Sequence, residues 1–418
     1  MGPFSGALHQ ISGNEGRISF RGIKILRYKG RLVLFCNIFK MTSRLKKITR
    51  IAFITAYCTV VFCCLLSCLS PFLQPGSYAL IALLGLVFPF LFFIVLAMGV
   101  YWLVRRSKWA WLSAITLLLG LPQFFTVFGC HLFGTFSESK PPQTLRVLTW
   151  NLSSWGTTRR NNPNMISYRR EMTEILKSSN ADVLCLQEYH FLKARTFRDS
   201  LIPELKENGY NYAYFVRSRY TMKLYNSAHV TGVAIVSKYP ITDTTHFEYG
   251  NNDFAEPLIY ADIQFNNQTI RLFTTHLQSV RFESYDLETL HSLKEPGTAS
   301  VTKSRALAWK LKQAYKKREA QAALVHQKIT ESPYPVIVCG DFNDVPGSYT
   351  YVTVKDKLQD AFLKKGFGFG RTYRFISPTL RIDYILADKK FTISQYKKIE
   401  VPYSDHYPVI ADITVEEK

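Results

Sequence analysis

The 418-residue chain lacks the cysteine pairs that would hold a metal or staple a small domain. Of its eight cysteines, Cys58, Cys63, Cys64 and Cys68 lie inside one apolar run, where a thiol packs as a small hydrophobe, although Cys63 and Cys64 are also candidates for acylation. Cys185 and Cys339 sit in the strand-like runs VLCLQ and VIVCG, and Cys36 and Cys130 stand alone, so neither a zinc site nor a disulfide framework is indicated. There is no serine or cysteine nucleophile motif, no internal repeat and no low-complexity tract. Acidic residues are few: Asp and Glu total 31 against 52 Lys and Arg, a formal charge of +21. The imbalance is steepest before Ile51, where Arg17, Arg21, Lys24, Arg27, Lys29, Arg31, Lys40, Arg44, Lys46, Lys47 and Arg50 face Glu15 alone. From Ile51 to Phe133, by contrast, charge of either sign is almost absent.

A mean hydropathy near zero is high for so basic a chain and implies two unlike regions. A helix needs about 20 apolar residues to cross the hydrocarbon core of a bilayer. Three runs qualify, at about 51–73, 78–104 and 109–128, and none contains a charge. Pro89 and Pro122 interrupt the second and third, as spanning helices tolerate. Three successive runs, the first deep in the chain, fit poorly with a cleaved signal peptide. The flank 1–50 is basic, the connector Gln74-Pro75-Gly76-Ser77 is uncharged, and the next, Arg105-Arg106-Ser107-Lys108, is basic again. Cationic loops stay on the cytoplasmic side. The expectation is therefore a multi-pass protein of a plasma or inner membrane, with a cytoplasmic N-terminus and everything after His131 extracytoplasmic, periplasmic or exterior in a bacterial host. Replacing one crossing by a re-entrant hairpin would reverse that placement, and one anchor with two helices buried in a soluble core is the alternative to three spans. The basic flank reads as an orientation signal, with a nucleic-acid-binding tail as its alternative, and Met41 begins a conventional basic flank by itself.

Residues 134–143, with Glu138-Ser139-Lys140-Pro141-Pro142, form a polar linker. From 144 to 418 short β-branched runs alternate with helical stretches, the pattern of one mixed α/β domain. The strand-like runs are LRVLTWN, ADVLCLQE, VTGVAIVS, LIYADIQF, TIRLFTTHL, PVIVCGDFN and RIDYILAD, and Asn266-Asn267 predicts an antiparallel hairpin between the fourth and fifth. Helical spacing appears at Met172, Ile175 and Leu176, and again from Leu307 through Leu311, Ala314 and Val325 to Ile329, where the intervening Lys and Arg read as solvated surface or as a nucleic-acid groove.

Polar groups cluster where those strands end: Asn151, Glu188, His276, Asp341 and Asn343, Asp383, and Asp405 with His406. A buried strand that ends in such a residue delivers a rigidly held polar group to one rim of a sheet. Each alone reads as a cap, a turn former or a satisfied core group. Together, carboxylates, amides and two imidazoles suit a hard cation acting on a phosphate, since oxygen ligands favour Mg²⁺ or Mn²⁺.

Leu148-Thr149-Trp150-Asn151, Leu186-Gln187-Glu188, Gly232 to Ile241, Thr275-His276-Leu277, Gly340-Asp341-Phe342-Asn343 and Ser404-Asp405-His406 occur in the order of the endonuclease/exonuclease/phosphatase, or deoxyribonuclease I-like, superfamily. The resemblance covers about residues 144–415. It implies a four-layer α/β sandwich, here preceded by a bundle of about three transmembrane helices, and hydrolysis of phosphodiesters with Mg²⁺ or Mn²⁺. Carried over residue by residue, it makes Glu188 the principal metal ligand, completed or supported by Asn151 and Asp405. Asp341 would orient and deprotonate the attacking water, and Asn343 would hold the phosphate. His406, oriented by Asp383, would contact the scissile phosphate, and His276 would do the same from the other side or protonate the leaving oxygen. His276 stands where the abasic-site endonucleases carry tyrosine, and Ser153 where some nucleases carry an acidic helper. Leu380-Arg381-Ile382-Asp383-Tyr384 replaces the Trp-Cys-Asp-Arg signature of the inositol 5-phosphatases.

The expected partners are the bilayer and a nucleic acid or other phosphodiester, with no obligate protein. A nuclease is the first reading, drawing on Arg159-Arg160-Asn161-Asn162, Arg281 and the long basic helix. A phospholipase C-like or other lipid-phosphate hydrolase is the alternative. The aromatic loop Phe367-Gly368-Phe369-Gly370, with Tyr373 and Phe375, would touch lipid headgroups, stack on bases, or simply pack. A catalytically dead scaffold is set against intact motifs at every position.

Overall fold

The computed structural model describes residues 17–20, 23–28, 31–36, 43–132, 134, 136–156, 167–192, 201–224, 227–250, 255–280 and 301–415. The chain divides into two compact units, Met1–Thr59 and Val60–Lys418. Within the first, strands β1 (Arg17–Phe20), β2 (Ile23–Tyr28) and β3 (Arg31–Cys36) form an antiparallel meander inside what the sequence presents only as a basic flank. The loop 159–162, Arg281 and Met41 lie outside the described residues.

Among the described residues, three helices are long and apolar enough to cross a membrane: α1 (Ser43–Ser67), α2 (Ala79–Val104) and α3 (Trp109–Val127). Helix α1 starts earlier than the apolar run, because Arg44, Lys46, Lys47 and Arg50 continue its register, and it stops short of Leu73. The stop has a local cause. Pro71 has no amide hydrogen and disfavours helical backbone at Ser70, and the Ser70 hydroxyl donates instead to Gly347 O at 2.9 Å.

The rest of the second unit is built on two six-stranded sheets. One runs β16 (Thr392–Lys398), β17 (Val409–Thr414), β5 (Thr144–Asn151), β6 (Val183–Leu192), β8 (Ser227–Ser237), β7 (Tyr212–Leu224). The other runs β13 (Gln359–Asp360), β15 (Asp383–Ala387), β12 (Val336–Asp341), β11 (Gln268–His276), β10 (Glu256–Phe265), β9 (Ile241–Phe247). Only the β5–β6 and β11–β12 neighbours in these sheets are parallel. Asn266 and Asn267, both at positive φ, close the β10–β11 hairpin with Phe265 opposite Gln268, as the turn residues predict.

The central strands read as continuous apolar runs because both faces are buried. Leu145, Val147, Val183, Cys185 and Ile235 of one sheet meet Ile259, Leu272, Ile337, Cys339 and Ile385 of the other. On the outer side of the first sheet, Met172 and Leu176 of helix α4 (Arg169–Ser178) pack on Trp150, Leu184 and Leu186. On the outer side of the second, Ala322 and Val325 of the Val301–Thr330 helix pack on Phe273, Val338 and Leu386. Helix, sheet, sheet and helix make the four-layer sandwich that the resemblance implied. Strands β9 (ITDTTHF) and β16 (TISQYKK) escaped the sequence reading because edge strands stay half exposed and carry polar residues.

The sandwich is joined to α2 and α3 by specific contacts. Strand β4 (Gly129–Cys130), just after α3, pairs with β14 (Phe367–Gly368). The Phe367–Gly370 loop packs on the helices, with Phe369 5.3 Å from Phe128 and 6.3 Å from Phe93 between ring centroids. Gln123 of α3 donates to Gly347 O at 3.1 Å, and the Gly76 amide donates to Glu319. The fully buried Arg381 pairs with Asp360 and reaches Thr126 O at 3.4 Å. Asp360 also caps the following helix through Phe362 N and accepts from Tyr351 OH at 2.7 Å. Removing one partner of a buried ion pair leaves the other charge uncompensated. Arg381→Met should therefore cost about 3–5 kcal/mol in denaturant unfolding of the detergent-solubilised chain.

Candidate active site

Every sequence-selected site residue lines or borders one cleft of about 380 Å³ at a common rim of the two sheets. Strand β5 delivers Asn151, β11 delivers His276, β12 delivers Asp341, and β15 begins with Asp383, which pairs with Asp341 across the ladder. Pairing places His276 opposite Asp341 as well. In β6 the register breaks between Leu186 and Tyr189, and Glu188 there has φ of 48°. Such a bulge turns a side chain out of the strand's alternation, and here it aims the Glu188 carboxylate into the cleft.

Asp341 is fully buried and sits at the centre. Its Oδ1 accepts from Asn343 N at 2.8 Å and its Oδ2 from Asn151 Nδ2 at 3.0 Å. The same Oδ2 lies 3.6 Å from His276 Nε2 and 3.6 Å from His406 Nε2. Each imidazole is backed by its own carboxylate. His406 Nδ1 contacts both Asp383 oxygens at 3.1 and 3.0 Å, and His276 Nδ1 contacts Glu256 Oε2 at 3.3 Å. Burial works against charge on both rings, but neighbouring carboxylates outweigh it. His276 is raised to about 9 by Glu256, Asp341 and Glu188, and His406 is held well above its ordinary value by Asp383 and Asp341. The carboxylates thus favour the protonated form of both rings. Burial pushes Asp341 itself up, opposed by His406 and reinforced by Asp383.

Asn151 Oδ1 accepts from Ser153 N at 2.9 Å, so its Nδ2 faces the Asp341 and Glu188 carboxylates. In this arrangement Asn151 supports the acidic groups through its amide. Asn343, at φ 52°, donates Nδ2 to Leu277 O at 3.0 Å. Ser404 Oγ accepts from His406 N at 3.1 Å and donates to Asn151 O at 2.8 Å, tying the Ser404-Asp405-His406 turn to β5.

Among the described residues, two groups of ligand atoms are candidates for a cation. Asp341, Asp383 and His406 offer ligand atoms within 4.8 Å of one another, but His406 Nδ1 and both Asp383 oxygens already satisfy each other. Glu188 and Asp405 offer further carboxylate oxygens on the cleft, of the kind a hard divalent cation takes. Burial raises the Glu188 pKa, the His276 imidazole opposes it, and the Asp405 and Glu256 carboxylates raise it further.

Sequence reasoning missed Glu256. It accepts from Glu188 N at 2.9 Å, contacts His276 Nδ1 and takes a hydrogen bond from Thr231. The turn alone does not reveal it: Asn266-Asn267 fixes Phe265 opposite Gln268, and counting back would set Pro257 opposite His276, whereas a register shift between Glu256 and Ile259 brings Glu256 there instead. Gln187 was quoted only within a motif, yet its buried amide ties Thr149 to Thr274, one in each sheet.

The sequence profile of the endonuclease/exonuclease/phosphatase family matches residues 142–406, and the chain belongs to that family. A profile described as a domain of unknown function, DUF8431, matches residues 49–127. Protein angel homolog 2 of Mus musculus is 27% identical over 184 residues, which is 43% of this chain and 29% of that protein, so the chain spans under a third of that relative's length. Among solved structures, an endonuclease/exonuclease/phosphatase from Beutenbergia cavernae aligns with 18% identity and a TM-score of 0.48 over 65% of this chain and 72% of that one. The human nocturnin catalytic domain aligns with 16% identity and a TM-score of 0.45 over 65% and 93%. Proteins of this family are hydrolases of phosphodiester bonds.

Glu256→Gln tests the second imidazole–carboxylate pair. Losing a partner that orients and charges a functional imidazole costs about 10–100-fold, so kcat on a soluble chromogenic diester should fall by about that factor with a smaller change in KM.

Proposed function

We propose that the chain is a membrane-anchored phosphodiesterase, dependent on a divalent cation, in which water attacks phosphorus in line with the leaving oxygen. The observation that carries this reading is Asp341 between two imidazoles, each 3.6 Å away and each backed by a carboxylate. A phosphodiester is anionic and repels a nucleophile, so its site must offer positive charge where negative charge builds. The two imidazoliums supply that charge. Asp341 orients the attacking water and takes its proton, and Asn343 holds a phosphate oxygen. His406, fixed by Asp383, contacts the phosphate, and His276, fixed by Glu256, contacts it from the other side or protonates the leaving oxygen. Glu188, with Asp405 and the supporting Asn151, holds the cation. When bound, Mg²⁺ or Mn²⁺ acts as a Lewis acid on the phosphoryl oxygens.

Helices α1–α3 anchor the enzyme, with the N-terminus cytoplasmic and the sandwich extracytoplasmic by the distribution of loop charge. No obligate protein partner is needed to complete the site. Nucleic acid is the substrate that family membership brings forward. A lipid phosphodiester is the second reading, favoured by one observation: Leu86, Val87 and Phe90 of α2 line the same cleft as the catalytic groups.

The full chain in detergent should hydrolyse bis(4-nitrophenyl) phosphate with Mg²⁺ or Mn²⁺, lose that activity in EDTA and regain it on adding the metal back. Asp341→Asn and His406→Ala should each lower kcat by about 10³-fold or more, the scale expected of groups that act as a unit in the transition state. Activity undiminished in either variant would remove the reading. Glu188→Ala should raise the metal concentration needed for half-maximal rate by about 10–100-fold.

A further inference from the structure

Resting on the phosphodiesterase reading above, we infer that the substrate is a membrane lipid, its phosphodiester reaching Asp341 while its acyl chain lies along helix α2. The cleft has two unlike sides. Its floor holds Asp341, His276 and His406, while one wall is Leu86, Val87 and Phe90 of α2, with Ile376 also at the lining. The wall is not closed core: Val87 is 39% exposed, and Phe90 and Ile376 are each 45% exposed.

Helical spacing continues the wall away from the site. Residues three or four apart share a helix face, so Val87, Phe90 and Ile94 form one stripe, and Ile94 is 46% exposed. No charged residue interrupts α2, which runs to Val104 before Arg105 and Arg106. The surface is therefore apolar from the catalytic cleft onto the open flank of a helix able to span a bilayer.

Depth agrees with this occupant. Arg105 and Arg106 fix one end of α2 at a membrane–water boundary. A hydrocarbon core of about 30 Å, at 1.5 Å per residue, uses about 20 residues of helix. Counting back from Val104 reaches the neighbourhood of Gly85. Leu86, Val87 and Phe90 thus stand at the hydrocarbon edge, next to the layer where lipid phosphates lie. A polynucleotide carries a charge at every phosphate and is excluded from an apolar wall at hydrocarbon depth, whereas an acyl chain is held there by the burial of apolar surface. The docking contacts keep this alignment fixed, since Gln123 and Ser70 from the helical region both donate to Gly347 O, close along the chain to Asp341 and Asn343.

The reaction is balanced by water alone. The water oxygen forms a new bond to phosphorus and one P–O ester bond of the lipid breaks. The water proton passes to Asp341, and the departing oxygen takes a proton from an imidazolium, leaving a phosphomonoester and an alcohol.

The test uses the full chain reconstituted in phosphatidylethanolamine/phosphatidylglycerol vesicles with Mg²⁺ or Mn²⁺. Turnover is followed on the vesicle lipids by mass spectrometry, on bis(4-nitrophenyl) phosphate, and on a single-stranded DNA oligonucleotide. Lipid hydrolysis is expected to exceed oligonucleotide hydrolysis. Val87→Trp, which fills the lane beside the wall, should lower the ratio of lipid to soluble-diester turnover at least tenfold. Phe90→Ala, a milder change, should lower the same ratio several-fold. Oligonucleotide cleavage without lipid cleavage would overturn the inference, as would wall variants that reduce lipid and soluble diester in equal proportion. Failure of the underlying reading looks different: the soluble diester itself would go unhydrolysed, or His406→Ala would match the wild type.

Discussion

The structure turns on a carboxylate with no exposed surface of its own. Asp341 is fully buried, and burying an isolated charge is prohibitively costly, so the surrounding fold must supply positive charge and hydrogen-bond donors in fixed places. It does so from many directions. His276 arrives on the neighbouring parallel strand, His406 on a turn after the penultimate strand, Asn151 from the other sheet, and Asn343 from Asp341's own loop. The imidazoles are themselves buried, and Glu256 and Asp383 stand behind them. The result is an alternation of carboxylate and imidazole across the rim, from Glu256 through His276, Asp341 and His406 to Asp383. Each member depends on its neighbours, and the whole is held to strand precision.

That alternation explains why the sandwich must be rigid at this rim. Gly340, at φ 136°, shows how close the packing is: a Cβ there would stand 2.0 Å from Thr275 O. Any side chain at that position would push apart the two strands that bring His276 and Asp341 together. The same economy extends to the apolar helices. They are fastened to the sandwich by a short ladder, an aromatic cluster and buried hydrogen bonds, and α2 contributes wall residues to the catalytic cleft. In this molecule the apolar helical segment is part of the cleft's architecture.

Much of this was legible in the sequence, and the reasons are physical. Strands buried on both faces announce themselves as unbroken apolar runs, so VLTWN, VLCLQE and VIVCGD, with the polar groups ending them, are legible in the sequence as the rim of a sheet. The Asn-Asn turn gave the β10–β11 register next to the hairpin, but the shift between Glu256 and Ile259 that sets Glu256 opposite His276 left no signal in the sequence. Edge strands such as ITDTTHF were not legible, because half-exposed strands carry too little apolar signal. Neither was the partner of the aromatic loop. Phe367 and Phe369 would suit a lipid headgroup, a base or a packed interface equally well by composition, and only tertiary structure shows Phe93 and Phe128 as their neighbours. The same limit hid the role of Leu86, Val87 and Phe90. Inside an all-apolar helix, nothing in the sequence separates a residue facing lipid from one facing a catalytic cleft.

The central claim is that water, oriented by Asp341, attacks phosphorus directly. Its most direct measurement is hydrolysis in H₂¹⁸O with a divalent cation present, followed by mass spectrometry of the phosphomonoester from the wild-type chain and from Asp341→Asn under single-turnover conditions. The account predicts one ¹⁸O in the phosphate product of the wild type, already present in the first turnover, and a loss of that product in the variant. A first-turnover phosphate free of ¹⁸O, or undiminished product from Asp341→Asn, would contradict it.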